Sequence, residues 1–345
     1  MSELFDNQEA DPVTTVDVHA HFVPPSLAVA AANGNRWQGF DVGFTPRGSI
    51  HVDDGTRSYT LPQWSSTDSI EHRLQRMDAA GVDVQALSVT WRLYMYDAPS
   101  AKAIDNAARI NADLAAIVSE HPDRFWGLVQ LPLQDPAASI RELERWMSVD
   151  GFVGAAVGTD VDGVEWDDPS LLGVLEAAES LGALVFFHPA DRRPDPRLAR
   201  FHLRNLIGNP LETTIAIAAL VFGGALDRLP NARFCFAHAG GFAALGVGRF
   251  DHGYRVRPEA REFAQLVPSE YLRRLYFDSI THSDLALRHL VDLVGADRVV
   301  MGSDDPADMG PSNPVAFVEG CSSLTCEERR LIEGDNLLAL LSQKV

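Results

Sequence analysis

Eight apolar runs rich in β-branched and aromatic residues recur along the chain, at 13–22, 82–89, 125–132, 151–158, 183–189, 232–239, 274–280 and 298–304. Each is near-continuous in its hydrophobicity instead of alternating, as expected of strands covered on both faces in a parallel sheet. Most are followed by a segment with helical periodicity; 69–80, 101–120, 136–147, 169–181, 211–229 and 284–294 are the plainest. Asp68, Asp135, Asp168 and Ser283 stand where N-caps belong, and Gly81, Gly182 and Gly295 follow three of the helices as stops. Eight strand–helix units predict an α/β fold of the (β/α)8 TIM-barrel type.

Departures from that repeat locate insertions. Residues 24–67 separate the first strand from its helix, far longer than an ordinary strand-to-helix loop. Within them 50–52 and 58–61 read as two arms of a hairpin turning at Asp53-Asp54-Gly55, a natural lid for the rim. A second segment, 246–267, is rich in Arg and aromatic residues, and 326–345 is expected to form helices packed on the outside. No linker, internal repeat or low-complexity tract divides 1–345, so one barrel domain is expected.

A formal net charge of −19 and the lack of any basic run exclude a nucleic-acid partner. The longest apolar stretch, 215–226, is interrupted by Gly223 and Gly224 and is too short for a bilayer, so no membrane association is expected. The polar, acidic beginning lacks the features of a secretory signal, and three cysteines (Cys235, Cys321, Cys326) fit neither a disulfide framework nor a zinc ribbon. A cytoplasmic protein with structurally buried cysteines is the expectation.

Chemistry gathers at the carboxyl ends of four predicted strands: His19-Ala20-His21, His188-Pro189, His238-Ala239-Gly240-Gly241 and Gly302-Ser303-Asp304-Asp305-Pro306. In a closed parallel barrel all four ends meet on one rim, bringing together imidazoles and a carboxylate suited to a metal ion, with one imidazole left for proton transfer. Strand alternation places Asp17, His19 and His21 on one face, with Asp17 deeper and therefore supporting instead of ligating. A satisfied core histidine is the plain alternative for His188 and His238, but both stand at strand ends, where this fold builds its sites. Asp304 is favoured over its neighbour Asp305 as the ligand. Gly240 and Gly241 would let backbone approach a ligand closely.

Together with these motifs, the runs Arg57-Ser-Tyr-Thr-Leu-Pro-Gln-Trp64, Arg76-Met-Asp-Ala-Ala-Gly-Val-Asp-Val-Gln85, Val129-Gln-Leu-Pro-Leu-Gln-Asp135 and Gly248-Arg-Phe-Asp251 give the chain a clear likeness. It resembles the amidohydrolase superfamily, in the branch of the aminocarboxymuconate-semialdehyde and aromatic-acid decarboxylases. The resemblance implies that His19, His21, His188 and Asp304 ligate the metal and that His238 is the acid or base beside it. It also implies that Arg57 holds a substrate carboxylate and that Arg249 is contributed by the neighbouring subunit of a homodimer. Ala190 and Ala239 depart from the branch, which has Trp and Gly there, and imply a pocket of different shape.

Binuclear members of the superfamily bridge two ions with a modified Lys on the fourth strand, and 151–158 contains no Lys; Lys102 and Lys344 are the only two in the chain. One divalent ion is therefore expected, zinc by its mixed ligand set, with manganese or iron as the other ions such ligands take. The expected activity is metal-dependent, non-oxidative decarboxylation of a small unsaturated or aromatic carboxylic acid. The runner-up is a hydrolase or hydratase using the same site on a small acidic or cyclic substrate.

Overall fold

A computed structural model describes residues 14–53, 55, 58–63, 68–190 and 195–342. Eight parallel strands form the main sheet in the order of the chain: β1 (Val16–Phe22), β6 (Val84–Val89), β7 (Phe125–Gln130), β8 (Phe152–Gly158), β9 (Leu184–His188), β10 (Arg233–Phe236), β11 (Tyr276–Asp278) and β12 (Val299–Val300). The last strand is shorter than the apolar run 298–304 suggests, because the chain leaves the ladder after Val300. Closure is made by single bonds instead: the amide of Val18 donates to Met301 (2.9 Å), that of Asp304 to His19 (2.8 Å) and that of His21 to Asp305 (2.7 Å). The result is the expected (β/α)8 barrel, with Val84, Leu128, Leu184, Phe186 and Val300 filling its interior and Leu87, Val185, Phe187 and Phe236 packing under the helices.

The helices start and stop for the reasons their sequences give. Asp135, Asp168 and Ser283 each accept a backbone N–H as N-caps, and Gly81 ends its helix in the left-handed conformation. Asp68 does not cap; Ser69 does, leaving Asp68 to pair with Arg73 and Arg76. The run 211–229 divides at Gly223-Gly224 into helices Asn209–Phe222 and Ala225–Arg228. Among the described residues one helix, Arg204–Phe222, has the length and hydropathy of a membrane span. Its Ala216, Ile217, Leu220 and Val221 are buried in the layer outside the barrel, whereas Leu206, Ile207 and Leu211 are exposed.

Between β1 and its helix lies more structure than a hairpin. A helix, Pro25–Ala32, leads into a four-stranded antiparallel sheet of β2 (Arg36–Trp37), β3 (Phe40–Phe44), β4 (Ile50–Asp53) and β5 (Ser58–Thr60). The anticipated arms are β4 and β5, paired with Val52 opposite Tyr59. The insertion is docked on the loop and helix after β6: Tyr59 donates to Asp97 (3.0 Å) and the Lys102 ammonium lies 3.8 Å from the centre of the Phe40 ring.

At the other end, the C-terminal helix Asn336–Ser342 does not simply lie outside. Leu337 and Leu340 join the interior cluster with Val16, Val18 and Val84, closing the barrel where its strands begin. Cys235 and Cys321 are buried, as expected, but Cys326 is exposed at the start of helix Cys326–Arg330.

Candidate metal centre

The strand ends bring four side chains to one point. One ligating atom from each of His19, His21, His188 and Asp304 lies within 4.8 Å of the others, and all four residues are buried. His19 Nε2 and His21 Nε2 are 3.3 Å apart, and Asp304 Oδ1 is 3.2 Å and 3.1 Å from them. Ligands at about 2.0–2.1 Å around a tetrahedral ion stand about 3.3 Å from one another, so these separations suit a shared cation. Two further facts agree: both ring nitrogens of His188 and Oδ1 of Asp304 are buried without a hydrogen-bond partner among the described residues.

Tautomers are set from behind. His19 Nδ1 is 2.7 Å from Asp278 Oδ2, and His21 Nδ1 is 2.9 Å from Ser88 Oγ. With Nδ1 engaged in this way, Nε2 is the nitrogen each ring turns toward the cluster, and it ligates once it carries no proton. Burial opposes protonation of His19, but the Asp304 and Asp278 carboxylates outweigh it and raise its pKa to about 10. Burial, helped by the neighbouring imidazoles, pushes His21 down and His188 well down, so both stay neutral. Burial would raise Asp304, yet the imidazoles hold it well below the carboxylate range. Burial thus works against protonation of His21 and His188 while Asp304 is held ionised beside them, a charge balance that suits a bound cation.

The geometry corrects the expected facing of Asp17. A β-bulge lies between Asp17 and Ala20, so Val16 and Val18 point into the barrel while Ala20 and Phe22 point out. This one-residue slip turns His19 and His21 inward and leaves Asp17 on the opposite side, accepting from Gln85 (2.9 Å) and the Ser303 amide (3.0 Å). Asp305 likewise points away from the cluster and pairs with Arg73 and Arg76, each at 2.8 Å. Choosing Asp304 over Asp305 matches this arrangement.

His238 stands beside the ligands, with Nε2 3.6 Å from Asp304 Oδ2, and is more accessible than they are. It and Ala239 both adopt left-handed backbone, φ 54° and 55°, which costs about 1 to 2 kcal/mol per residue. Their two amides are held by Asp278, to Oδ2 at 2.9 Å and Oδ1 at 2.8 Å. Gly240 and Gly241 serve this elbow: a Cβ would fall 2.6 Å from the Phe277 ring in one case and 2.1 Å from the Pro210 carbonyl oxygen in the other. Beside His238 opens a cavity of about 250 Å³ lined largely by apolar groups, among them Leu206, Pro210, Phe242, Leu245, Ile280 and Met309.

Arg249 lies on the exposed side of helix Ala243–Val256, one turn beyond the exposed Leu245. Arg57 falls outside the described residues, as does Lys344. Sequence reasoning missed three residues. Asp278 could have been noticed as a carboxylate ending a strand run; Arg73 carried no signal beyond its helix. The third is Trp91, from the loop after β6, whose ring packs against those of His21 and His188 with its centre 5.2 Å from each. Ala190, two residues after His188, is small and buried.

Comparison with known proteins agrees with the geometry. The sequence model described as amidohydrolase matches residues 16–342. The 2-amino-3-carboxymuconate-6-semialdehyde decarboxylase of Dictyostelium discoideum is 34% identical over 331 residues, covering 94% of this chain and 91% of that protein. Apo IDCase of Metarhizium anisopliae superposes with a TM-score of 0.81 at 22% identity, over 95% of this chain and 97% of that one. The 5-carboxyvanillate decarboxylase of Novosphingobium aromaticivorans, solved with manganese and 4-hydroxy-3-methoxy-5-nitrobenzoic acid, gives 0.78 at 20%, over 96% of each chain. With the family match spanning nearly the whole sequence and a full-length relative above 30% identity, the chain belongs to the amidohydrolase family.

Proposed function

We propose that the protein is a metal-dependent, non-oxidative decarboxylase of a small unsaturated or aromatic carboxylic acid, acting through one divalent ion. The observation that carries this reading is the buried His19, His21, His188 and Asp304 set with His238 beside it at the strand ends. The names of its relatives point to the same reaction class. Zinc is the ion proposed from the ligand types; manganese, present in a solved relative, is the rival, and fourth-strand β8 offers no Lys to bridge a second ion.

The ion would supply Lewis-acid polarisation of the bound acid. In the reaction the bond between the substrate carbon and its carboxylate breaks, carbon dioxide leaves, and the electron pair stays on that carbon. A proton must replace the lost group, and His238, partly accessible and adjacent to Asp304, is placed to deliver it and to recover another from water. Trp91 gives a flat surface against which a conjugated ring can lie. Arg57 is assigned to the substrate carboxylate, for which a planar, permanently charged guanidinium is suited.

The same reading makes the active unit a homodimer in which Arg249 serves the neighbouring site. Its exposure, and the exposed Leu206, Leu211, Phe242 and Leu245 nearby, favour a covered face. Carbon dioxide release by metal-loaded protein from a panel of unsaturated and aromatic acids tests the activity; hydrolysis or hydration without carbon dioxide would replace it with the hydrolase reading. Mixed dimers of Arg249→Ala and His238→Ala chains test the assembly. Random pairing makes half the dimers mixed, each with one intact site, so activity should recover to about a quarter of wild type.

A further inference from the structure

We propose that Asp278 is a positioning residue that sets the metal-binding tautomer of His19 and the placement of His238 at once, coupling ion affinity to proton transfer through one carboxylate. It ends β11, is fully buried, and is not one of the four clustered ligands. Four N–H groups converge on its two oxygens. Oδ2 accepts from His19 Nδ1 (2.7 Å) and the His238 amide (2.9 Å); Oδ1 accepts from the amides of Ala239 (2.8 Å) and Ile280 (3.1 Å). An acceptor-only side chain with both oxygens doubly used is an ionised carboxylate.

Each bond has a separate consequence. The first keeps hydrogen on Nδ1 of His19, leaving Nε2 free to ligate. The next two hold consecutive left-handed residues, so the imidazole of His238 leaves the backbone at the angle that brings Nε2 to 3.6 Å from Asp304. An asparagine cannot reproduce this, since whichever way its amide turns, an NH2 faces two donors. Turned toward Oδ2's place, it drives the His19 proton to Nε2 and removes a ligand; turned toward Oδ1's place, it repels two backbone amides that have no alternative proton position.

The test is Asp278→Asn, alone and combined with His238→Ala. Alone, the zinc dissociation constant from chelator competition should rise about 10- to 100-fold. At saturating zinc, kcat should fall at least about tenfold with KM within about threefold. In the His238→Ala background the further loss of kcat should be under about threefold, because the effect passes through the missing imidazole. A zinc constant unchanged within about threefold, or losses that multiply in full, would overturn the proposal. The kcat arm rests on the decarboxylase reading; the zinc arm does not, so a wild-type protein releasing no carbon dioxide would remove that reading and leave this one tested. If Asp278→Asn does not fold, wild-type protein decides: zinc-loaded, 15N-histidine-labelled enzyme should show two slowly exchanging Nδ1 protons, from His19 and His21, the one facing Asp278 further downfield. Absence of the slowly exchanging, far-downfield His19 Nδ1 proton facing Asp278 would refute it.

Discussion

Arg73 offers the most direct test of how the barrel holds its site together. Its guanidinium is 1% exposed and donates to Gln85 Oε1 (3.0 Å), Asp305 Oδ2 (2.8 Å), Asp68 Oδ2 (2.8 Å) and the carbonyl of His21. It thus ties the ligand-bearing end of β1 to the segment that carries Asp304. Arg73→Met keeps much of the volume and removes the charge. Breaking a buried pair costs about 3 to 5 kcal/mol. The low end applies, because Arg76 still reaches both Asp68 and Asp305 at 2.8 Å. At about 2.1 cal/mol/K per residue, an unfolding entropy of about 0.7 kcal/mol/K turns 3 kcal/mol into a Tm loss of about 4 °C. Freed from the staple, His21 and Asp304 should also bind zinc more weakly, by at least about tenfold in a chelator competition. Arg76→Met is the control: it is 42% exposed and should cost under about 1 kcal/mol, with zinc affinity unchanged. If the two variants matched in Tm and zinc affinity, the staple reasoning would be wrong.

Other outcomes follow from the same geometry. His19→Ala or Asp304→Ala should lose metal and activity together, whereas His238→Ala should retain metal by elemental analysis while turning over at least about a hundredfold more slowly; a metal-free His238→Ala protein would contradict the division of roles. Since His19 holds a proton up to about pH 10 and His21 and His188 are neutral, zinc uptake near pH 7 should release about one proton, and affinity should rise with pH; calorimetry in buffers of different ionisation enthalpy reads the number, and zero would refute the charge assignment. Glu333 is 8% exposed, with Oε1 unpartnered among the described residues, and burial, aided by Glu319, raises its pKa from 4.5 to about 7. Its contribution to stability is therefore full below about pH 4.5 and lost as pH climbs through 7, so Glu333→Gln should raise Tm by up to about 4 °C at pH 8 and hardly at all at pH 4.5. Equal shifts at both pH values would argue against it.

Much of this protein was legible in its residues one stretch at a time. Near-continuous apolar runs predicted parallel strands, helical periodicity and caps such as Asp135 and Asp168 placed the helices, and His19, His21, His188, His238 and Asp304 were visible as polar residues at strand ends. These signals are local: hydrophobic period, capping chemistry and strand termination act over a few neighbouring residues. The partnerships were decided only by folding. Asp278 meets His19 across 259 positions and Arg73 meets Asp305 across 232, because parallel strands and barrel closure join segments that no short-range pattern connects. The bulge in β1 turned Asp17 away from the histidines, since one extra residue reverses every later side chain and leaves no mark in composition. Trp91 beside His188, the Leu337 and Leu340 plug, and the exposed position of Cys326 belong to the same class. Which face a residue shows, and to whom, depends on the packing of distant elements, and that packing is settled by the whole barrel.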